Sequence, residues 1–201
     1  MGNPEIIALE EHVDYWDSLG WRDPYSSVHL TERQQDYAAS FRNEGVYTPQ
    51  MVVDGRTEFV GSSQNRAKSA IADAAREPKA EVVLRRVVTA GDGQAKIAVE
   101  VKMLPVGEIR EAQVWLAVTE NELHSNVLHG ENAGQDLHHD AVVRSLRKVG
   151  NAAANRETAF ASEQDVHFDS GWKKENLRVV VFVQDPKSKR IVGAAALRLQ
   201  P

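Results

Sequence analysis

Residues His12 to Trp21, "HVDYWDSLGW", place one imidazole, two carboxylates and two indoles within ten positions. A histidine beside carboxylates can transfer protons or orient a nucleophile. The preceding residues, "IIALEEHV" from Ile6 to Val13, are apolar and then alternating, which predicts a strand that emerges at a polar edge. Alternation would send His12, Asp14 and Trp16 to one side of that strand's end, where ligands of open α/β sheets gather. A plainer reading is also open: Trp16 and Trp21 as packing aromatics, with His12 and Asp14 tying down a loop by hydrogen bonds.

A second group of candidate residues lies far along the chain. His124, His129, His138 and His139 fall within sixteen positions, accompanied by Glu131, Asp136 and Asp140. Imidazoles and carboxylates are ligands for zinc or copper. Their spacing matches no metal motif, and Gly130, Asn132 and Gly134 favour a polar loop rich in side-chain hydrogen bonds. No metal or cofactor is therefore expected, these four histidines being the candidates if one is held. The chain has no cysteine, which removes disulfides, thiolate zinc sites and thiol nucleophiles together. No nucleophile elbow, phosphate loop or dinucleotide glycine pattern occurs. "TAGDGQ" at Thr89 to Gln94 reads as a hairpin turn, and Ser62 and Ser63 as helix caps.

The 201 residues are 42% hydrophobic and 26% charged, enough for one sizeable core or two small ones. A net charge of -5 leaves no basic surplus for phosphates, so nucleic acid is not an expected partner. Apolar runs such as "VVVFV" at Val179 to Val183 are too short to span a bilayer, and no signal-peptide pattern follows Met1. As written, the sequence predicts a cytoplasmic chain without membrane partners.

The elements that would position these residues fall into two groups. Leu30, Tyr37 and Phe41 in "LTERQQDYAASF" share a helix face, with Thr31 as N-cap and Gln34 at the matching third position. After Thr48-Pro49 come "QMVVD", the turn "DGR" and "TEFVG", an antiparallel hairpin, followed by a helix with an Ala67, Ala70, Ile71 and Ala74 stripe. Pro78 ends that helix. Beyond Glu81 the segments "EVVLRRVVT", "AKIAVEVKM", "EAQVWLAVT", "NLRVVVFVQD" and "RIVGAAALRL" predict an antiparallel sandwich. "DAVVRSLRKVG" fits both helical and strand periods, and strand is the expectation. The expected division is residues 1–78 and 79–201.

Four stretches, "HVDYWDSLGWRDPYSS", "RQQDYA", "VYTPQMVVDGRTEFVGS" and "GENAGQDLHHDAVVRSLRKVG", resemble a bacterial family of secreted thioredoxin-like proteins known as domain of unknown function 1223. The resemblance implies an α/β thioredoxin-like domain followed by an antiparallel β-sandwich, α+β overall. Members of that family carry an export signal and a Cys-x-x-Cys-Pro strand and helix before the counterpart of Ile6 to Val13. The resemblance thus implies a thioredoxin-like domain incomplete at its N-terminus, with an unfilled sheet position that invites self-association. It also implies a cis Thr48-Pro49 bond whose backbone pairs with an extended substrate, where the residues alone permit an ordinary trans turn proline. The expected groove is Tyr47, Thr48, Pro49, Trp16, Trp21, His12 and Asp14. Without a thiol, the expected role is a redox-inactive module that binds a peptide or protein partner. The alternative is a thiol-disulfide oxidoreductase of the cell envelope, periplasmic or secreted, if a longer natural form carries the cysteine pair.

Overall fold

The computed structural model describes residues 5–88, 93–105, 109–127, 129 and 133–199. Its elements run α1 (Val28–Phe41), β1 (Gln50–Val53), β2 (Thr57–Val60), α2 (Gln64–Ala74), β3 (Val82–Val88), β4 (Gln94–Lys102), β5 (Glu111–Glu120), β6 (Leu123–Asn126), β7 (Asp136–His139), β8 (Val142–Ala153), β9 (Thr158–His167), β10 (Leu177–Gln184) and β11 (Ile191–Arg198). The chain is α+β, with mostly antiparallel sheets and two α-helices. Among the described residues no helix is long and apolar enough to cross a membrane.

Two sheets bury their alternate residues against a common core. One has the order β11-β10-β5-β8 and the other β3-β4-β9. In β4 the alternation is strict, burying Ala95, Ile97, Val99 and Val101. These side chains meet Ala112, Val114, Leu116 and Val118 of β5 and Val179, Val181 and Val183 of β10. Strand β10 is buried from Val179 to Gln184 because it is central and covered on both faces. Its second face meets α1, whose Arg33 guanidinium lies 5.1 Å from the Phe182 ring centroid.

Strand β8 shows why its sequence fitted two periods. Its ladder with β5 runs Val114 to Gly150 and then Trp115 to Lys148, and again Val118 to Ser145 and then Thr119 to Val143. Val149 and Arg144 are therefore extra residues, and each such bulge shifts the inside-outside phase by one position. Strand β9 lies outside the expected segments, because Ala159 and Val166 are its buried residues, Phe160 packs part-buried against the core, and the rest is polar or small. The polar loop expected around His124 and His138 is in part the β6–β7 hairpin, whose residues are mostly polar. β3 and β4 are antiparallel neighbours, and residues 89–92 of the expected "TAGDGQ" turn lie outside the described residues.

Two local expectations are corrected. The strand expected over Ile6–Val13 reduces to one parallel bridge between Glu10 and Val142, closed by Glu10 N–H to Ala141 C=O at 2.8 Å and Val143 N–H to the Glu10 C=O at 2.9 Å. Only Glu10 finds a strand to pair with, so the run of apolar residues before it forms no ladder. Helix α1 begins earlier than expected: Ser27 is the N-cap, accepting from the His29 N–H. Thr31 is instead a buried residue of the helix, and Gln34 points away from the cap.

The β1–β2 hairpin forms a sheet of its own, with Met51 opposite Phe59 and Val53 opposite Thr57. Asp54 and Gly55, both at positive φ, make its turn. Gly55 also needs its missing side chain, since a Cβ there would lie 1.9 Å from the Lys189 carbonyl oxygen. Phe59 is the buried anchor of the hairpin. Helix α2 presents Ala67, Ala70, Ile71 and Ala74 inward, as its stripe predicted, while Ser63 at its N-cap makes no side-chain capping bond.

Candidate functional site

The loop from Glu10 to Tyr25 does not present its polar side chains on one side. After the Glu10 bridge the chain turns, with Asp17 N–H bonded to the Asp14 C=O, and enters a short 3-10 helix over Asp17–Leu19. Strand alternation ends there, so His12, Asp14 and Trp16 go to three different places. This corrects the expectation of a common face.

His12 turns inward. Its Nδ1 lies 2.6 Å from Asp23 Oδ2, and its Nε2 lies 3.2 Å from Glu10 Oε1. His139, from the end of β7, brings Nδ1 to 3.3 Å from the same Glu10 oxygen. The two imidazoles are edge to face with centroids 4.9 Å apart, and the Tyr25 ring closes the group at 5.6 Å from each. Arg144, the bulged residue of β8, lies over Tyr25 at 5.1 Å and reaches Glu120 Oε2 at 3.6 Å. Only 9% of the His12 side chain and 10% of that of His139 are exposed. Burial opposes a charge on His12, but the Asp23 and Glu10 carboxylates outweigh it and raise its pKa to about 9. Burial likewise opposes ionisation of Asp23 and Glu10, and hydrogen bonds and charge from the histidines overcome it to hold both below their ordinary values.

Asp14 instead fastens the loop to α1. Its carboxylate accepts from Thr31 Oγ1 at 2.6 Å, and the same hydroxyl accepts from the Asp14 N–H at 3.0 Å. Tyr15 donates to Gln34 Oε1, and Gln34 in turn donates to the Tyr47 carbonyl and to Gln50 Oε1.

Trp16 reaches the proline loop. Its Nε1–H donates to Thr48 Oγ1 at 3.0 Å while 49% of the residue stays exposed. The Thr48-Pro49 peptide is cis, and both residues are exposed. Tyr47 donates its hydroxyl to the Glu58 carboxylate of β2, which also accepts from Gln50. Trp21 is half-buried further along the loop. Trp16, Tyr47, Thr48 and Pro49 therefore form one surface beside β1, and His12 and Asp14 stand outside it.

The four histidines of the second group also separate. His124 and His138 face each other across the β6–β7 hairpin with centroids 4.2 Å apart, exposed and close to Asp136. His139 belongs to the buried group with His12, and His129 is exposed. Glu131, Gly130 and Asn132 lie outside the described residues.

The family model for "Protein of unknown function (DUF1223)" matches residues 1–184. The chain belongs to this family. A crystal structure of an Agrobacterium tumefaciens protein resembles this DUF1223 chain with a TM-score of 0.71 at 23% identity, covering 94% of this chain and 78% of that one. HBP35 of Porphyromonas gingivalis matches with a TM-score of 0.59 at 19% identity, over 85% of this chain and 58% of that one. At these identities the likeness is one of fold alone. No curated protein matches the chain.

Sequence reasoning missed Glu10, Asp23, Tyr25 and Arg144 as members of the DUF1223 chain's buried group. The available signal was "EEH" at residues 10–12 and "LHHD" at residues 137–140, each with an imidazole next to an acidic residue. What joins them is the Glu10–Val142 bridge, a contact across 132 positions of sequence that no local pattern announces.

Proposed function

We propose that this DUF1223 chain is a thioredoxin-like protein with an appended β-sandwich, and that it docks an extended peptide segment of a partner protein by strand addition along β1. One observation carries this reading: among the described residues β1 pairs only with β2, and the exposed Trp16–Thr48 contact lies two residues before its start. Pro49 C=O accepts from Gly61 N–H, which fixes the phase of the ladder. Met51 and Val53 then face β2, and the main-chain groups of Gln50 and Val52 point to the other edge. Among the described residues no strand pairs there. Such an edge binds an added strand through main-chain hydrogen bonds, with flanking side chains setting preference. Trp16 supplies apolar area at one end, and Tyr47 with Glu58 a polar contact. With no cysteine in these residues, the reading involves no thiol chemistry.

The test is a 12-residue peptide array probed with the full chain. Binders should lose about tenfold or more in affinity with Trp16→Ala, on the scale of an aromatic anchor, while the circular dichroism spectrum of the variant matches that of the parent. Methylating alternate peptide nitrogens should abolish binding, because strand addition uses those N–H groups. Binders indifferent to both changes refute the reading. So does a dimer by sedimentation velocity that Trp16→Ala dissolves, since a second copy would then occupy the edge.

A further inference from the structure

We propose that Glu10, His12 and His139 form a binding site for a divalent transition-metal ion of the zinc type. The three side chains each offer a ligand atom, all within 4.8 Å of one another. Two separations decide the geometry: His12 Nε2 and His139 Nδ1 stand 3.2 and 3.3 Å from Glu10 Oε1. Ligands about 2.0 to 2.1 Å from a tetrahedral zinc are separated from each other by roughly 3.3 to 3.4 Å. These two separations are therefore the ones zinc would require, and the two imidazole nitrogens lie within 4.8 Å of each other.

A second observation points the same way. His12 Nε2 is buried and shares Glu10 Oε1 with His139 Nδ1, so that one carboxylate oxygen serves two imidazoles. A zinc ion would take the place of the proton held between these atoms, since metal ligation uses the neutral imidazole and releases its proton. The opposite nitrogen, Nδ1, is held by Asp23 Oδ2 at 2.6 Å. That contact fixes the ring and directs Nε2 at Glu10, the carboxylate–histidine–metal arrangement by which outer residues orient ligands. The T-shaped contact between the imidazoles and the flanking Tyr25 ring limits reorientation. Two imidazoles and one carboxylate suit zinc or another first-row divalent ion and leave a fourth coordination position open.

The proposal is independent of strand docking at β1, because none of its ligands lies on that surface. The exposed group of His124, His138 and Asp136 is the competing site. It lacks burial, and Asp136 stands 3.7 and 3.8 Å from its two imidazoles, too far to fix either ring as Asp23 fixes His12.

The experiment is calorimetric titration of the chelator-treated full chain with zinc chloride. One equivalent should bind, His139→Ala should abolish the heat, and Asp23→Asn should weaken binding about 10- to 100-fold. The double change His124→Ala with His138→Ala should leave binding unchanged. Removing a buried imidazole can unfold a chain, so the unaltered protein supplies a second readout through long-range imidazole nitrogen NMR spectra. Zinc must shift the His12 and His139 resonances. No binding, or shifts confined to His124 and His138, overturns the proposal.

Discussion

Replacing Arg33 with methionine should destabilise the chain by about 3 kcal/mol. Arg33 Nε pairs with Glu11 Oε1 at 3.0 Å, Nη1 donates to Gln184 Oε1 at 3.2 Å, and Nη2 donates to the Tyr37 hydroxyl at 3.0 Å. The guanidinium also lies over the Tyr37, Phe182 and Trp115 rings at 5.0, 5.1 and 5.7 Å. Methionine keeps an unbranched apolar stem over those rings but removes the charge and its donors. Gln184 is 1% exposed, so its Oε1 would lose a donor that water cannot replace, at a cost of about 1 to 3 kcal/mol. Breaking a buried ion pair from one side costs roughly 3 to 5 kcal/mol, and the 22% exposure of the Glu11 side chain reduces that contribution.

Because the lost interactions share one side chain they do not add, and the lower end of the combined range is the expectation. For a chain of this size a loss of about 3 kcal/mol lowers Tm by roughly 6 to 12 °C. Urea unfolding followed by far-ultraviolet circular dichroism and by tryptophan fluorescence would measure it. Adding Glu11→Gln to Arg33→Met should recover part of the loss, since the uncompensated carboxylate is then gone. A loss below about 1 kcal/mol, or a double variant equal to the sum of the singles, would refute the claim that Arg33 fastens α1 to Glu11 and to Gln184 of β10.

Two further outcomes follow from other parts of the chain. A Cβ on Gly193 would lie 2.7 Å from the Ala80 carbonyl oxygen and 3.2 Å from the Val82 Cγ2, where β3 approaches β11. Gly193→Ala should therefore cost about 1 to 3 kcal/mol in urea unfolding, whereas Gly171→Ala, with nothing within 4 Å, should stay within about 0.5 kcal/mol of the parent; equal effects would show that the approach of β3 is not tight. At Glu58, burial raises the carboxyl pKa, but hydrogen bonds from Tyr47 and Gln50 prevail and hold it below its ordinary 4.5. A depressed folded pKa gives stability that is present above 4.5 and lost as pH falls through the lower folded value. Thermal melts across that interval should show a decline that Glu58→Gln reduces, and an unchanged decline would assign it to other carboxylates.

The parts of the fold legible in the sequence are those where one physical rule acts alone. β4 alternates because each of its residues faces either the core or the other side, and the α2 stripe repeats because one helix face packs inward. The hairpin turn is readable from Asp54-Gly55, since both must take positive φ. Legibility fails where tertiary contacts intervene. The bulges at Arg144 and Val149 break the period of β8, and the apolar residues of β9 do not alternate, since Ala159 and Phe160 are adjacent and Ser162 to Asp165 separate them from Val166. Thr31 looks like a cap in isolation, but Ser27 already satisfies that role and frees the Thr31 hydroxyl for Asp14.

The candidate residues follow the same logic. Their types were visible, and their grouping was not, because grouping depends on where a chain leaves regular geometry. A continuous strand through Trp16 would have kept Glu10, His12, Asp14 and Trp16 on one face. The turn at Asp14 instead distributes them. Glu10 joins β8 through its main chain and His139 through its carboxylate, and His12 takes Asp23. Asp14 takes α1 through Thr31, and Trp16 takes the proline loop through Thr48. One irregular segment thus fastens the helix, the hairpin edge and the large sheet to each other. It can do so only because its own backbone is not committed to a ladder, which is why the same residues escape a reading based on period.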